Sequence, residues 1–189
     1  MNFGAVILAG GKSRRMGRNK AQLTVNGQSF LDIITAELSG FAELMVSVDD
    51  AALHPEILLP MVSDAYSDCG PMSGIFSALS SCTSEALLAV SCDLPLFKEA
   101  LAIKLCEAMT DEFDAVIPVT ADGFRHLLSA VYSKRCAVVF QGYLKAGNFR
   151  LRDALQDLNV LYFDAKPFTK MLTNVNTPEE YNLLLQKEN

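Results

Sequence analysis

The sequence predicts an α/β fold in which helices cover both faces of a largely parallel sheet. Two observations support this. Apolar runs alternate with amphipathic stretches along the whole chain, and several of these runs lack the polar alternation typical of half-exposed strands. Strands of that kind need helices on both sides, which gives a three-layer arrangement. No long linker, charge block or internal repeat interrupts the 189 residues, so one continuous domain over residues 1–189 is expected.

The elements follow from the same pattern. Strands are expected at residues 5–9, 44–48, 87–91, 115–118, 127–132 and 160–163. Helices are expected at residues 30–39, 73–81, 98–109, 134–145 and 178–187. The last helix has the clearest start, because Thr177 suits the N-cap, Pro178 the first helical position and Glu180 the third.

Composition excludes several classes of protein. Half of the residues are hydrophobic, so the chain can bury a core and is not mainly disordered. With 16 Lys and Arg against 22 Asp and Glu, the net charge is −6. That charge argues against binding duplex DNA or an anionic membrane by bulk electrostatics, so neither a nucleic-acid nor a membrane partner is expected.

The cysteines and the N-terminus indicate the compartment. The five cysteines are odd in number and form no C-x-x-C pair, which indicates neither a disulfide framework nor a zinc site. No apolar run reaches the ~20 residues that span a bilayer, and the basic residues follow the first apolar stretch instead of preceding it. A cytoplasmic protein with reduced thiols is therefore expected.

The strongest chemical signal is the segment L-A-G-G-K-S-R-R-M-G-R-N-K at residues 8–20, directly after the first strand. Its adjacent glycines let the backbone approach an anion closely. Its cations are Lys12, Arg14, Arg15, Arg18 and Lys20. The segment matches neither the Walker A pattern nor G-x-G-x-x-G, but its charge density suits a triphosphate. A solvated basic turn is the bland alternative.

Polar residues follow other strands at the edge where ligands bind in parallel sheets. Asp93 comes just after the apolar run 87–91, and a carboxylate there suits Mg²⁺, which takes one or two protein carboxylates together with phosphates and water. The alternative is that Asp93 caps the helix after Pro95. Arg15 and Lys20 are the residues expected on the triphosphate, Arg15 as a bidentate fork and Lys20 as a point charge.

The pattern L-A-G-G-x-S-x-R-M-G-x-x-K resembles the signature of the small nucleotidyltransferases that include the molybdenum cofactor guanylyltransferases. Three further segments occur in that family's order: Ser63-Asp64 followed by residues 70–75, the turn at 91–95, and residues 174–180. The resemblance implies a Rossmann-like nucleotidyltransferase fold. It also implies transfer of GMP from GTP to the terminal phosphate of molybdopterin, with Mg²⁺ as cofactor, release of pyrophosphate, and transient contact with molybdoenzymes or cofactor-insertion proteins.

The resemblance also implies roles for individual residues. The catalytic set is Arg15, Lys20 and Asp93. The nucleotide-binding set is Leu8, Ala9, Gly10, Gly11, Lys20, Asp64 and Asp93. Asn174 and Asn176 are assigned to the acceptor, and Asp93 to the metal. On local grounds alone, Lys20 could be a surface lysine, Asp64 a turn residue and the two asparagines structural residues.

One departure concerns the nucleobase. The family commonly has an asparagine that contacts the nucleotide after the strand matching residues 44–48, where this chain has Ser47-Val48-Asp49-Asp50; the departure is attributed to Ser47. A related branch uses CTP on the same fold, but the Gly10-Gly11 pair favours the guanylyl branch. Two alternatives therefore stay open: a cytidylyl or sugar-phosphate nucleotidyltransferase, and a non-catalytic nucleotide-binding cofactor carrier.

The remaining candidates are weaker. Arg150, Arg152 and Asp153 could bind the acceptor phosphate, or could form salt bridges on a helix face. His54 and His126 are too few and too far apart to indicate a metal cluster or a catalytic triad. His126 is expected to be an exposed polar loop residue.

Overall fold

The computed structural model describes residues 1–10 and 23–188. Its strands are β1 (Phe3–Leu8), β2 (Thr24–Val25), β3 (Gln28–Ser29), β4 (Leu44–Val48), β5 (Met61–Ser63), β6 (Ala86–Ser91), β7 (Ala115–Val119), β8 (Val131–Ser133) and β9 (Val160–Asp164). Its α-helices are α1 (Phe30–Glu37), α2 (Pro71–Ser81), α3 (Glu99–Ala108), α4 (Cys136–Lys145), α5 (Leu151–Ala154) and α6 (Pro178–Glu188). Short 3₁₀ turns lie at Ala51–Leu53, Leu155–Asp157 and Lys166–Leu172.

Seven strands form one sheet in the order β5-β4-β1-β6-β8-β7-β9. All neighbours are parallel except at β8, which is antiparallel to both β6 and β7. From β1 the chain moves first to β4 on one side and later to β6 on the other. The carboxyl end of β1 is therefore a topological switch point, where ligands bind in open α/β sheets.

Helices cover both faces of this sheet, as the apolar runs predict. In β1, Ala5 and Ile7 pack in one core with α1 and α3, whereas Val6 and Leu8 pack in a second core with α2 and α4. Successive side chains of a strand point to opposite faces, so an apolar strand without alternation fills both cores at once.

The sequence prediction was wrong in part for one strand. Residues 127–132 were expected to be extended, but β8 starts only at Val131. The preceding residues turn, with the Ser129 N–H donating to the His126 carbonyl at 3.1 Å and the Tyr132 hydroxyl to the Leu127 carbonyl at 2.6 Å. Apolar character at Leu127 and Leu128 reflects packing on the sheet and not strand pairing.

The β2–β3 hairpin and strand β5 were not predicted from the sequence. The hairpin β2–β3 turns at Asn26 and Gly27, whose φ angles are 52° and 82°. An Asn-Gly pair with both φ angles positive is typical of a two-residue hairpin, so the signal was present in the sequence. The edge strand β5 is only three residues long, too short for a periodic pattern.

The C-terminal segment docks beside the switch point. Its predicted capping box is confirmed: the Glu180 N–H donates to Thr177 Oγ1 at 3.2 Å, and the Thr177 N–H donates to Glu180 Oε2 at 3.1 Å. Leu184 of α6 packs with Phe30 and the β2–β3 hairpin. Within the described ranges, no helix has the length and apolar character needed to cross a membrane.

Candidate active site

The carboxyl ends of four neighbouring strands enclose a cavity of about 280 Å³, called here the smaller cavity. Its lining residues include Leu8, Gly10, Ser47, Asp49, Asp64, Asp68, Gly70, Pro71, Gly74, Ser91 and Leu128. The N–H groups of Ala9 and Gly10 donate to the Ser47 carbonyl at 2.9 and 3.1 Å, so the turn after β1 lies tightly against β4. Residues 8–10 and Asp64, proposed for the nucleotide, are thereby brought to one place.

Gly74 lets helix α2 pack closely against strand β4 at the smaller cavity. A β-carbon at this position would collide with Ser47 Oγ and would lie 3.3 Å from Asp64 Oδ1. Because Ser47 is buried inside β4, it cannot move away easily. The first turn of α2 therefore approaches β4 only because residue 74 has no side chain.

Asp64 is held at the cavity by the loop that follows β5. The Asp64 N–H donates to the Val48 carbonyl at 3.1 Å, and the next two N–H groups donate to hydroxyls of α2, that of Ala65 to Ser77 at 2.9 Å and that of Tyr66 to Ser73 at 3.1 Å. Burial, and secondarily the negative charge of Asp49, raise the pKa of Asp64 from 3.8 to about 6.

This shift predicts a pH dependence of stability. A carboxyl with a raised pKa binds its proton more tightly in the folded state, so its contribution to stability is present below pH 3.8 and is lost as the pH rises towards 6. We expect the free energy of unfolding of Asp64→Asn, measured relative to the wild type, to rise by about 2 kcal/mol between pH 4 and pH 7. This is somewhat less than the full pKa shift would give, because water reaches part of the carboxyl group. Urea unfolding across this range measures the difference.

Asp111→Asn is the matched control, because Asp111 is exposed beside the amino end of β7, at the opposite edge of the sheet. This variant loses one carboxylate without changing the smaller cavity, so its pH profile is the reference for loss of charge alone. A profile for Asp64→Asn that matches it would contradict the raised pKa.

Asp49 was not among the predicted site residues. Because β4 ends at Val48, the residue that follows the strand is Asp49, whereas Ser47 is buried within the strand. His54 Nε2 lies 2.9 Å from Asp49 Oδ1, and this hydrogen bond lowers the pKa of the Asp49 carboxyl. Its position directly after a buried strand was a usable sequence signal.

Asp93 lies just beyond β6 and is 8 % exposed. The alternative that it caps the following helix was wrong, since α3 begins at Glu99 with Lys98 as its N-cap. Instead, Asn174 Nδ2 donates to Asp93 Oδ1 at 3.1 Å, and the Val175 N–H donates to the Asp93 carbonyl at 2.9 Å. Asp93 and Asn174, 81 residues apart in sequence, are therefore direct neighbours.

Asn176, which was predicted together with Asn174 for the acceptor, lies at the start of α6. Its backbone N–H donates to the Glu180 carboxylate at 2.6 Å. Its backbone thus contributes to the capping of α6. Three further predicted site residues, Gly11, Arg15 and Lys20, lie outside the described residues.

The residues around Asp93 fit a magnesium ion. The described residues contain no cluster of three or more His, Cys, Asp or Glu side chains that could hold a metal by themselves. Mg²⁺ does not need one, because substrate phosphates and water complete its octahedron around one or two carboxylates. The Asp93 carboxylate and the Asn174 amide oxygen are ligand types that suit it.

A larger cavity of about 780 Å³ adjoins the smaller one. Pro71, Ser91 and Leu128 line both cavities, and Asn174 lines the larger one. The two cavities therefore meet at Pro71, Ser91 and Leu128, and Asn174, the hydrogen-bond partner of Asp93, lines the larger one.

The larger cavity includes one of the arginines proposed for the acceptor. Arg152 lines it, whereas Asp153 accepts a hydrogen bond from Asn148 Nδ2 at 3.0 Å. The expectation for His126 was wrong: it is 9 % exposed, and its Nε2 lies 3.1 Å from Thr120 Oγ1. Burial lowers the pKa of this imidazole. The Ser129 N–H donates to the His126 carbonyl in a turn that sequence periodicity does not predict.

The chain is similar to known proteins over most of its length. Residues 5–160 match the family model described as the MobA-like NTP transferase domain. A relative named probable molybdenum cofactor guanylyltransferase, from Methanothermobacter thermautotrophicus, is 30% identical over 94% of this chain and 96% of its own. A relative of the same name from Bacillus velezensis is 31% identical over 95% of this chain and 93% of its own.

Solved structures show the same fold. The molybdopterin-guanine dinucleotide biosynthesis protein A of Archaeoglobus fulgidus has a TM-score of 0.86 at 22% identity, covering 97% of each chain. The 2-C-methyl-D-erythritol 4-phosphate cytidylyltransferase of Thermus thermophilus has a TM-score of 0.75 at 15% identity, covering 100% of this chain and 99% of its own.

The seven-stranded sheet and these solved structures confirm the fold class predicted from the sequence. The family model and the curated relatives define an enzyme of the nucleotidyltransferase class. Within that class, the chain belongs to the MobA-like NTP transferase family, as its signature motif predicts.

Proposed function

We propose that this enzyme transfers GMP from GTP to the terminal phosphate of molybdenum-molybdopterin, giving the guanine dinucleotide cofactor and pyrophosphate. The observation that supports this most directly is the pair of adjoining cavities, the larger of which is lined by Asn174, the hydrogen-bond partner of Asp93. A transferase must hold two substrates with their reacting phosphates together, and this arrangement offers one cavity to each.

In the proposed reaction, an oxygen of the acceptor phosphate attacks the α-phosphorus of GTP. A new P–O bond forms, the bond from the α-phosphorus to the bridging oxygen breaks, and pyrophosphate leaves with that electron pair. Such reactions require positioning and charge stabilisation and not a protein nucleophile. Arg15 and Lys20 would neutralise the triphosphate, and Asp93 and Asn174 would hold the metal end of the site.

Magnesium is the metal we propose for this site, with Asp93 as its protein carboxylate. When bound, it would neutralise negative charge on the nucleotide phosphates. The Asn174 amide donates to Asp93 and so fixes the orientation of that carboxylate.

The carboxylates of the smaller cavity favour guanine as the base. Asp49 and Asp64 both line it. Guanine presents two adjacent donors on one edge, its ring N–H and its amino group, and one carboxylate can accept both. Cytosine presents a single amino donor, and its ring nitrogen and carbonyl would face the carboxylate unfavourably.

Thermal unfolding with each nucleotide tests this choice. GTP with Mg²⁺ at a hundredfold excess over its Kd should add about 2.7 kcal/mol, a rise in Tm of roughly 5–10 °C for a chain of this size. GTP without Mg²⁺, and CTP, ATP or UTP with it, should give smaller shifts. A larger shift with CTP would favour a cytidylyltransferase, and no shift with any nucleotide would contradict a nucleotide site.

Cellular context follows from the same proposal. We place the reaction in the cytoplasm, where the product would pass by transient contact to molybdoenzymes or cofactor-insertion proteins. The net charge of −6 argues against nucleic acid or an anionic membrane as an additional partner.

A further inference from the structure

The larger cavity has an unusually aromatic rim. Phe124 is 59% exposed, Tyr162 44% and Phe149 43%, and all three line this cavity. The other large hydrophobic side chains of comparable exposure in the described part of the chain are aliphatic: Met1, Leu53, Leu58, Ile103, Val138 and Leu183. Exposed aromatic side chains that converge on one cavity indicate a surface that contacts a ligand.

None of the three aromatic residues lines the smaller cavity, whose shared border is formed by Pro71, Ser91 and Leu128. Of the two cavities, the three aromatic residues therefore line the larger one alone. A ligand bound across the larger cavity would have one end at the aromatic rim and the other end beside Asn174.

Contacts around the rim hold it in place. The Arg125 guanidinium lies over the Tyr162 ring, 4.3 Å from its centroid, and Arg125 Nη1 donates to the Tyr162 hydroxyl at 3.3 Å. The Phe124 ring packs edge-on against His126 at a centroid distance of 4.8 Å. Side chains held this way lose little freedom on binding a ligand, which favours affinity.

The backbone around Phe124 is braced as well. The Phe124 N–H donates to Asp122 Oδ1 at 3.1 Å, and its carbonyl accepts from the Thr120 N–H at 3.1 Å. Thr120 Oγ1 in turn donates to Asp122 Oδ1 at 2.7 Å. The loop that presents Phe124 is therefore a closed hydrogen-bonded turn.

The charge of the larger cavity is also distinctive. Arg125 and Arg152 line it, and no carboxylate does so among the described residues. The chain as a whole has a net charge of −6, and the smaller cavity is lined by three aspartates. The larger cavity therefore suits a ligand that is both flat and anionic.

We propose that Phe124, Phe149 and the Arg125–Tyr162 pair form the ring-binding rim for a flat heteroaromatic acceptor of the pterin class, an inference that rests on the proposed function. The ring stacks on the aromatic side chains, the two arginines match the negative charge of the acceptor, and its phosphate reaches Asn174, the hydrogen-bond partner of Asp93.

Binding of a phosphorylated pterin to the intact protein tests the rim directly. The chain has no tryptophan, so pterin fluorescence can be followed without interference from that residue. Phe124→Leu and Phe149→Leu keep an apolar side chain but remove the stacking face. Each should weaken pterin binding about tenfold, the effect expected for loss of one stacked ring.

Val138→Ala is the control, because Val138 is an exposed apolar residue of α4 that does not line the cavity. It should bind the pterin like the wild type. The thermal shift with GTP and Mg²⁺ should be unchanged in all three variants. In the transfer assay, the rim variants should raise the acceptor KM with little change in kcat.

Two results would overturn the rim: wild-type protein that binds the phosphorylated pterin no better than inorganic phosphate, or rim variants that bind it as tightly as Val138→Ala. These failures are distinct from failure of the proposed function. Transfer of GMP with unchanged pterin binding in the variants would reject the rim alone. Rim-dependent pterin binding without any transfer would reject the transferase proposal and keep the rim.

Discussion

Asp93→Asn is expected to lower GMP transfer by at least about a hundredfold, mainly through kcat, because the variant loses the negative charge proposed to hold the metal beside the reacting phosphates. The change is nearly isosteric, and the new amide oxygen can still accept from Asn174 Nδ2, which lies 3.1 Å from Oδ1 in the wild type. The fold should therefore persist, and the extra thermal shift that Mg²⁺ gives with GTP should disappear. Steady-state assays and thermal unfolding of the same samples measure both effects.

The control for this variant is again Asp111→Asn, which removes the same charge from the opposite edge of the sheet. It should retain wild-type turnover and the wild-type response to Mg²⁺. Near-normal turnover of Asp93→Asn would remove Asp93 from the mechanism and leave it a structural partner of Asn174.

Gly74→Ala and Gly142→Ala should have opposite effects on stability, although both replace a helical glycine. Gly142 in α4 has open space where a β-carbon would lie, so alanine should stabilise the protein by about 0.5–1 kcal/mol. At Gly74 the β-carbon meets Ser47 Oγ and Asp64, and overpacking of this kind costs about 1–3 kcal/mol. We expect a net loss of about 1–2 kcal/mol in urea unfolding and roughly tenfold weaker GTP binding for Gly74→Ala.

A second substitution identifies the cause. Adding Ser47→Ala to Gly74→Ala removes the colliding hydroxyl, so the pair should be less destabilised than the sum of the two single variants. Strict additivity, or stabilisation by Gly74→Ala alone, would show that a β-carbon at residue 74 does not collide with the Ser47 hydroxyl.

The layered fold was predictable because strands such as β1 and β6 are apolar on both faces, a pattern with few structural solutions. The turn at residues 127–129 was not predictable, because apolar side chains that pack beneath a loop have the same composition as a buried strand. The Asn26-Gly27 pair is itself a local sequence signal for the hairpin.

Some features of the candidate site were also predictable from the sequence, and others were not. The placement of Gly10, Asp49 and Asp93 directly after strands is a local feature, so the sequence could indicate it. The pairing of Asp93 with Asn174, and the convergence of Phe124 and Tyr162 on one cavity, depend on contacts between distant segments. No spacing or periodicity within either segment contains that information.

Transfer of label from GTP tests the central claim most directly. The enzyme, Mg²⁺ and molybdenum-molybdopterin are incubated without oxygen with GTP labelled at either the α- or the γ-phosphate, and product and pyrophosphate are counted. We expect α-label in the dinucleotide product, γ-label in pyrophosphate, and one pyrophosphate for each product. Tight GTP binding with no pyrophosphate would identify a carrier instead, and labelled product from CTP in preference to GTP would contradict guanylyl transfer.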